Sequence, residues 1–262
     1  MADGYRRWLV LLLPGKAGYC LAPVVRPRLD GMTTTLITGA NKGLGFETAR
    51  RLIAAGHTVY LGARDKDRGQ RAAAELGARL VLIDVTSEES VRDAGTLIRD
   101  EAGKLDVLVN NAGIVGVRKH PGEVTADDVQ AVYNTNVLGV VRVMHAFLPL
   151  LQASSAPVVV NVSSGMGSLA ITTDPGRFES TLISLAYPSS KAALNMLTTQ
   201  YAKAYPGIKI NAVDPGYTAT DLNGHEGTQT VEQGAEIIVR MATVAPDGPT
   251  GGYFDASGPV PW

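Results

Sequence analysis

The stretch Thr38-Gly39-Ala40-Asn41-Lys42-Gly43-Leu44-Gly45 lies between a β-branched run, Thr34-Thr35-Leu36-Ile37-Thr38, and a segment in which Phe46, Ala49, Leu52 and Ile53 recur at helical spacing. A short apolar run followed by a helical period predicts a buried parallel strand that turns sharply into an amphipathic helix. Gly39 lets the chain turn, Gly43 lets the backbone come close to a bound group, and Gly45 lets helix and strand pack. The unpaired N–H groups of the first helical turn attract an anion. These features together predict a cradle for a pyrophosphate. An ordinary strand-to-helix loop can use the same glycines, so the flanking pattern carries the argument.

Length and composition bound what surrounds that turn. A chain of 262 residues can bury the core of one large α/β domain. The 24 Lys and Arg nearly balance the 25 Asp and Glu, with no block of like charge. Nucleic acid and anionic membranes are therefore disfavoured as partners, and a small molecule is expected. Cys20 is the only cysteine, so no intramolecular disulfide and no cysteine metal site is expected, and a reducing, cytoplasmic setting fits. His57, His120 and His145 have no partners at metal-ligand spacing.

Residues 1–31 differ from the rest. Arg6 and Arg7 precede the apolar run Trp8 to Leu13, and Pro14, Pro23 and Pro27 follow without periodicity. The run is shorter than the roughly 7 to 15 residues of a secretory core and the ~20 of a membrane span. It is expected to be a poorly ordered N-terminal extension, or the product of a start site assigned too early. Met32 then opens the dinucleotide-binding and catalytic domain, residues 32–262.

The spacing T-G-x-x-x-G-x-G resembles the short-chain dehydrogenase/reductase family, and its N-K-G-L-G core is similar to carbonyl reductase-like members. The resemblance extends over residues 33 to 256. It implies a single, doubly wound α/β Rossmann domain with a seven-stranded parallel sheet. It also places Gly39, Asn41, Lys42, Gly43, Leu44 and Gly45 around a dinucleotide.

The second strand, His57 to Gly62, ends before Ala63, Arg64 and Asp65. In dinucleotide folds an acidic residue about 20 positions past the glycines binds the adenosine ribose, whereas an arginine accommodates a 2′-phosphate. Arg64, with Lys42 as a second positive charge, points to NADP(H). A competing reading makes Arg64 a solvated charge and Asp65 the ribose ligand of an NAD(H) enzyme.

A third strand, Arg79 to Asp84, precedes Thr86-x-x-Glu89, a predicted capping box. The resemblance places Asp84 and Val85 at the adenine; Asp84 could equally be a turn residue only. The strand Leu105 to Val109 leads into Asn110-Asn111-Ala112-Gly113. This tetrapeptide matches the family's N-N-A-G, which implies that Asn110, Ala112 and Gly113 lie near the cofactor ribose.

A helix over about Ala126 to Leu150 carries the stripe Val129, Val132, Tyr133, Val137, Val140, Val141 and Met144, and Asn136 falls inside it. A buried amide requires partners. By resemblance Asn136 is the active-site asparagine, its backbone holding a water near the catalytic lysine; Asn134 is the competing position. The strand Pro157 to Val162 ends in Ser163-Ser164-Gly165, where the resemblance makes Ser164 the catalytic serine. Serines that merely terminate a strand are the alternative.

The 22 residues 165–186 separate Ser164 from Tyr187. That is longer than in compact members, so an insertion between Leu169 and Ala186 is expected. Tyr187-Pro188-Ser189-Ser190-Lys191 matches Y-x-x-x-K, and four residues put the phenol and the ammonium on one helical face. A nearby cation is expected to lower the phenol pKa, making Tyr187 a usable acid. Lys191 should also bond the nicotinamide ribose, and Ser164 polarise the substrate carbonyl. YxxxK alone is frequent by chance; in register with the other motifs it is specific.

Strand six, Ile208 to Asp214, leads into Pro215-Gly216, with Thr218 expected at the carboxamide and Thr220 at the phosphates. Asp221 to Thr230 reads as a mobile lid, in which His225 is either a substrate contact or a solvated loop histidine. The last strand is expected at Gly251 to Asp255.

The resulting expectation is an NADPH-dependent reductase acting on a small ketone or aldehyde, monomeric or homo-oligomeric, with Asn136, Ser164, Tyr187 and Lys191 catalytic. Alternatives are oxidation of an alcohol with NAD(P), a non-catalytic NADP(H) sensor, and an epimerase holding NAD. Sensors on this fold usually lack the Tyr or Lys, and the epimerases normally carry a longer C-terminal domain.

Overall fold

The computed structural model describes residues 32–262, together with a short antiparallel pair, Trp8–Leu9 with Ala22–Pro23. The expectation for the rest of residues 1–31 lies outside the described residues. In residues 32–262 seven strands form one parallel sheet. They are β1 (Thr34–Ile37), β2 (Thr58–Ala63), β3 (Arg79–Leu82), β4 (Val107–Asn110), β5 (Val158–Val162), β6 (Lys209–Val213) and β7 (Tyr253–Phe254). Their spatial order is β3-β2-β1-β4-β5-β6-β7. The order reverses between β1 and β4, which opens a crevice at their C-terminal ends.

Helices connect the strands: α1 (Gly43–Ala54), α2 (Lys66–Leu76), α3 (Glu88–Ala102), α4 (Ala126–Asn136), α5 (Leu138–Gln152), the single turn α6 (Leu169–Thr172), α7 (Ala186–Ala204) and α8 (Val231–Ala242). Strand alternation divides the core into two layers. Leu36, Leu108, Val159 and Ile210 pack with Ile98, Phe147 and Leu194 on one face. Ile37, Val109 and Val160 pack with Leu52, Ile237 and Met241 on the other. Among the described residues no helix is long and apolar enough to cross a membrane.

Two local expectations differ from the structure. The predicted helix Ala126 to Leu150 is two helices broken at Val137, whose φ and ψ are −115° and −65°. In an unbroken helix the Asn134 carbonyl would accept from residue 138. Here Arg142 Nη1 donates to Asn134 O at 3.1 Å and to Val85 O at 3.2 Å, so a tertiary donor has replaced a ladder bond. The predicted box at Thr86 is shifted by one residue: Ser87 caps α3 through Ser90 N. Thr86 instead donates twice to Asp84 Oδ1, at 2.9 Å from its N and 2.7 Å from its Oγ1.

Candidate active site

The glycine turn adopts the conformation its composition demands. Gly39 and Gly43 sit at φ +63° and +57°, where a side chain would be strained. A Cβ on Gly45 would stand 2.9 Å from Ala40 Cα, so only glycine lets α1 approach the strand. Lys42 is the N-cap of α1 and provides no side-chain cap. The amides of that first turn therefore remain available to an anion.

The turn is one wall of a cavity of about 590 Å³ that runs across the sheet's C-terminal edge. Gly39, Asn41, Lys42, Gly43, Leu44, Gly45 and Arg64 line one end, with Asp84 and Val85 beside them; Ala112 and Gly113 lie midway, and Tyr187, Lys191, Pro215 and Thr220 complete the wall. A groove with bare amides and cations at one end and a phenol and amine at the other fits a dinucleotide.

Other expected positions fall elsewhere. Asn110, Asn136, Ser164, Gly216 and Thr218 are not part of the cavity wall. The Asn110 side chain points into the sheet, where Nδ2 donates to Asn161 Oδ1 at 2.8 Å. Asn111 lines the cavity instead, and its Nδ2 donates to Thr38 O at 2.8 Å and Gly39 O at 3.1 Å. Thr38 Oγ1 accepts from the amides of Asn111 and Ala112, at 3.0 and 3.1 Å. Strand alternation is the signal that separates the two asparagines. Thr218 is buried and turns its hydroxyl back onto Pro215 O at 3.1 Å.

Asp65 caps α2, accepting from Arg68 N at 2.9 Å, and pairs with the Arg68 guanidinium at 3.2 Å. Its carboxylate is thus committed to the helix end. Asp84, held by Thr86, performs a turn role while also lining the cavity.

At the other end the helix break places Asn136 at the last position of α4, 1 % exposed. Its amide is saturated by side-chain bonds: Oδ1 accepts from Ile114 N at 2.9 Å, and Nδ2 donates to Ile114 O at 2.9 Å and Ser190 Oγ at 3.0 Å. Asn134 lies on a separate shallow surface depression beside Leu138 and Arg142. The two serines also separate. Ser163 is buried and its hydroxyl donates to Asn195 Oδ1 at 2.6 Å. Ser164 is only partly buried and caps the 3-10 turn Gly165–Gly167, accepting from Met166 N at 3.3 Å.

Tyr187 and Lys191 share a face of α7, with Lys191 Nζ 5.6 Å from the centre of the Tyr187 ring. The ammonium donates to Val162 O at 2.7 Å. The expected lowering of the phenol pKa is not found. Burial pushes Tyr187 up to about 12, the Ser164 hydroxyl pulls against it, and the charge of Asp214 pushes the same way as burial. Burial pushes Lys191 down to about 8, opposed by Asp214. The cost of charging either group in this crowded site exceeds the attraction between them.

The insertion before Tyr187 contains α6 and a 3-10 turn, Phe178–Thr181. The Phe178 and Tyr217 rings meet in a tilted pair, centroids 5.8 Å apart and planes at 40°, joining the insertion to the loop after β6. Two exposed ion pairs join the expected lid to the rest of the chain, and a third contact lies within it. Asp221 Oδ2 accepts from Lys42 Nζ at 2.6 Å and Asp221 Oδ1 meets His225 Nε2 at 2.7 Å, while Glu226 pairs with Arg118 at 3.5 Å. His225 is solvent-exposed, its side chain 66% accessible, and it also lines the cavity.

Residues 33–230 match the family model for the short chain dehydrogenase. The chain is 34% identical to short-chain dehydrogenase/reductase 1 of Saponaria officinalis, with 87% of this chain and 95% of the relative covered. It is 33% identical to (-)-isopiperitenone reductase of Mentha piperita, over 84% of this chain and 95% of that one. The solved structure of NADPH-bound carbonyl reductase from chicken fatty liver superposes with a TM-score of 0.78 at 26% identity, covering 88% of this chain and 99% of the other.

Proposed function

Since the chain belongs to the short-chain dehydrogenase family, we propose that this oxidoreductase is an NADPH-dependent carbonyl reductase that converts a ketone or aldehyde to an alcohol. The observation that carries the reading is the placement of Tyr187 and Lys191 at one end of a continuous groove whose other end presents Lys42 and Arg64, with the Ser164 hydroxyl beside the Tyr187 phenol. NADPH, when bound, supplies the hydride.

The remaining chemistry belongs to the chain. Tyr187, protonated through the neutral range, gives its phenolic proton to the carbonyl oxygen as charge develops there. The Ser164 hydroxyl donates a hydrogen bond to the same oxygen. Lys191 lies beneath the phenol, where its ammonium offsets the negative charge left after proton transfer. Asn136 braces α7 through Ser190 and the loop at Ile114, and so fixes where Tyr187 and Lys191 stand.

NADP(H) rather than NAD(H) is supported by the cations at the adenosine end and by Asp65, whose carboxylate is spent on its helix cap. The carbonyl reductase among the similar structures supports a carbonyl substrate, and the isopiperitenone reductase among the similar proteins a small-molecule one.

Consumption of NADPH and NADH, followed in parallel against ketones, aldehydes and quinones, tests the proposal. Turnover that requires a carbonyl, prefers NADPH and collapses in Tyr187→Phe is the expected result. A preference for NADH overturns the cofactor assignment. Tight NADPH binding with no Tyr187-dependent turnover in either direction favours a binding protein.

A further inference from the structure

Asn195 lies on α7 two turns beyond Tyr187 and one turn beyond Lys191, on the same side of the helix, and is 4 % exposed. Its side chain reaches the segment that carries Ser164 at two points. Asn195 Oδ1 accepts from Ser163 Oγ at 2.6 Å, and Asn195 Nδ2 donates to Gly167 O at 3.1 Å. One amide therefore bonds both ends of the stretch 163–167, with Ser164 between them. Gly167 O can only accept, which orients the amide with Nδ2 towards it and Oδ1 towards Ser163.

That stretch rests directly on the catalytic helix. A Cβ on Gly167 would stand 2.7 Å from Lys191 Cβ and 2.8 Å from Lys191 C, so the turn lies against the helix backbone. Just upstream, Val162 O accepts from Lys191 Nζ at 2.7 Å. Inside the turn Gly167 N donates to Ser164 O at 2.7 Å, and Ser168 N donates to Gly165 O at 3.1 Å. Removing the Asn195 amide would leave a buried hydroxyl and a backbone carbonyl without these partners, a cost that the turn relieves only by shifting.

The same bonds separate the two serines. Ser163 lines the groove, but its proton is committed to Asn195. Within its own turn Ser164 Oγ accepts from Met166 N at 3.3 Å, which leaves its proton for donation outside the turn.

We propose that Asn195 is a positioning residue: its amide clamps both ends of the 163–167 stretch to the helix that bears Tyr187 and Lys191, and so sets where the Ser164 hydroxyl stands relative to the phenol. It acts on the reaction only through Ser164. The role rests on the reductase reading above.

The test is a double-mutant cycle between Ser164→Ala and Asn195→Leu, which keeps a branched side chain and removes both bonds. In the wild-type background Asn195→Leu is expected to lower kcat for carbonyl reduction about tenfold, with KM for NADPH changed by less than about twofold. In the Ser164→Ala background the same substitution is expected to lower kcat by less than about twofold. A loss of equal size in both backgrounds, or no loss in either, overturns the inference, because a merely structural residue acts without regard to Ser164. Ser163→Ala removes one of the two bonds and is expected to lower kcat about threefold, again only where Ser164 is present. If Asn195→Leu does not fold, Ser163→Ala decides, and no loss or a loss independent of Ser164 overturns the clamp.

Amide hydrogen exchange in the ligand-free variant separates this inference from the reductase reading. The amide protons of Gly167 and Ser168 are expected to exchange roughly tenfold faster than in the wild type, while those of Val160 and Asn161 in β5 keep their rates. Uniform acceleration, or none, overturns the clamp. A wild type that turns over no carbonyl overturns the reductase reading, and the exchange rates then decide the clamp.

Discussion

The two ends of the groove are built on opposite principles. At the catalytic end Lys191 is 5 % exposed, held by one backbone carbonyl, and shifted by burial together with Tyr187. At the adenosine end Lys42 and Asp221 form an ion pair with both side chains more than half exposed, at 56% and 52%. The buried end gains large electrostatic effects because water is excluded, whereas the exposed end works through charges that solvent and salt weaken. Chemistry is thus separated from recognition, and substitutions at the two ends should differ in size and in what they change.

Tyr187→Phe gives the largest expected effect, because it removes the proton donor. Carbonyl-dependent oxidation of NADPH should fall about a thousandfold, with NADPH affinity by fluorescence titration nearly unchanged. A matching loss of affinity would mean that the phenol belongs to recognition after all.

The next effect is that of pH. Lys191 has its pKa depressed to about 8, and Tyr187 keeps its proton to about 12. Reduction that needs both groups protonated is therefore complete below about pH 7, half lost near pH 8 and declining above it, with kcat/KM falling by about tenfold per unit at the steepest. A profile flat to pH 10 would remove the lysine from the chemistry.

Arg64→Leu addresses the exposed end. The ratio of NADPH to NADH affinity should drop about tenfold, through NADPH alone, and added salt should reduce the wild-type ratio in the same direction. Equal loss with both cofactors would show that Arg64 serves the fold and not the phosphate.

Asp65→Ala should have the smallest effect on function. The melting temperature should fall by about 2 to 4 °C as the α2 cap is lost, and the cofactor ratio should stay where it was. A large change in NADH affinity would revive the reading of Asp65 as a ribose ligand.

The course of the chain was legible wherever a local pattern determines it. Glycine spacing, β-branched runs and helical stripes are properties of neighbouring residues, and from them came the seven strands and the approximate elements. Tyr187, Lys191 and the glycine turn were legible for the same reason. What stayed hidden depends on contacts between distant segments. The break at Val137 needs Arg142 to take the Asn134 carbonyl, a bond that no periodicity encodes. The choice of Asn111 over Asn110 needs the strand's exact phase, which a motif of four letters blurs. Asp214 read only as a strand end, since Gly165 comes against its carboxylate only through the fold. The pKa of Tyr187 depends on how tightly the site is packed, so helical spacing could name its partner but not the sign of the balance.

The central seam of the sheet carries a consequence for folding kinetics. Thr35 pairs with Val107 across β1 and β4, and beside that seam Asn111 fastens to Thr38, 73 residues earlier in the chain. Closing so long a loop costs chain entropy before any contact repays it, so this pairing belongs among the slow events. The cradle's floor is made by the same closure. A chain that has joined only β1, β2 and β3 has its glycine turn but nothing beneath it. Dinucleotide present during refolding should therefore leave the early phase unchanged and act only after the seam has zipped, by holding the finished molecules out of the unfolded pool.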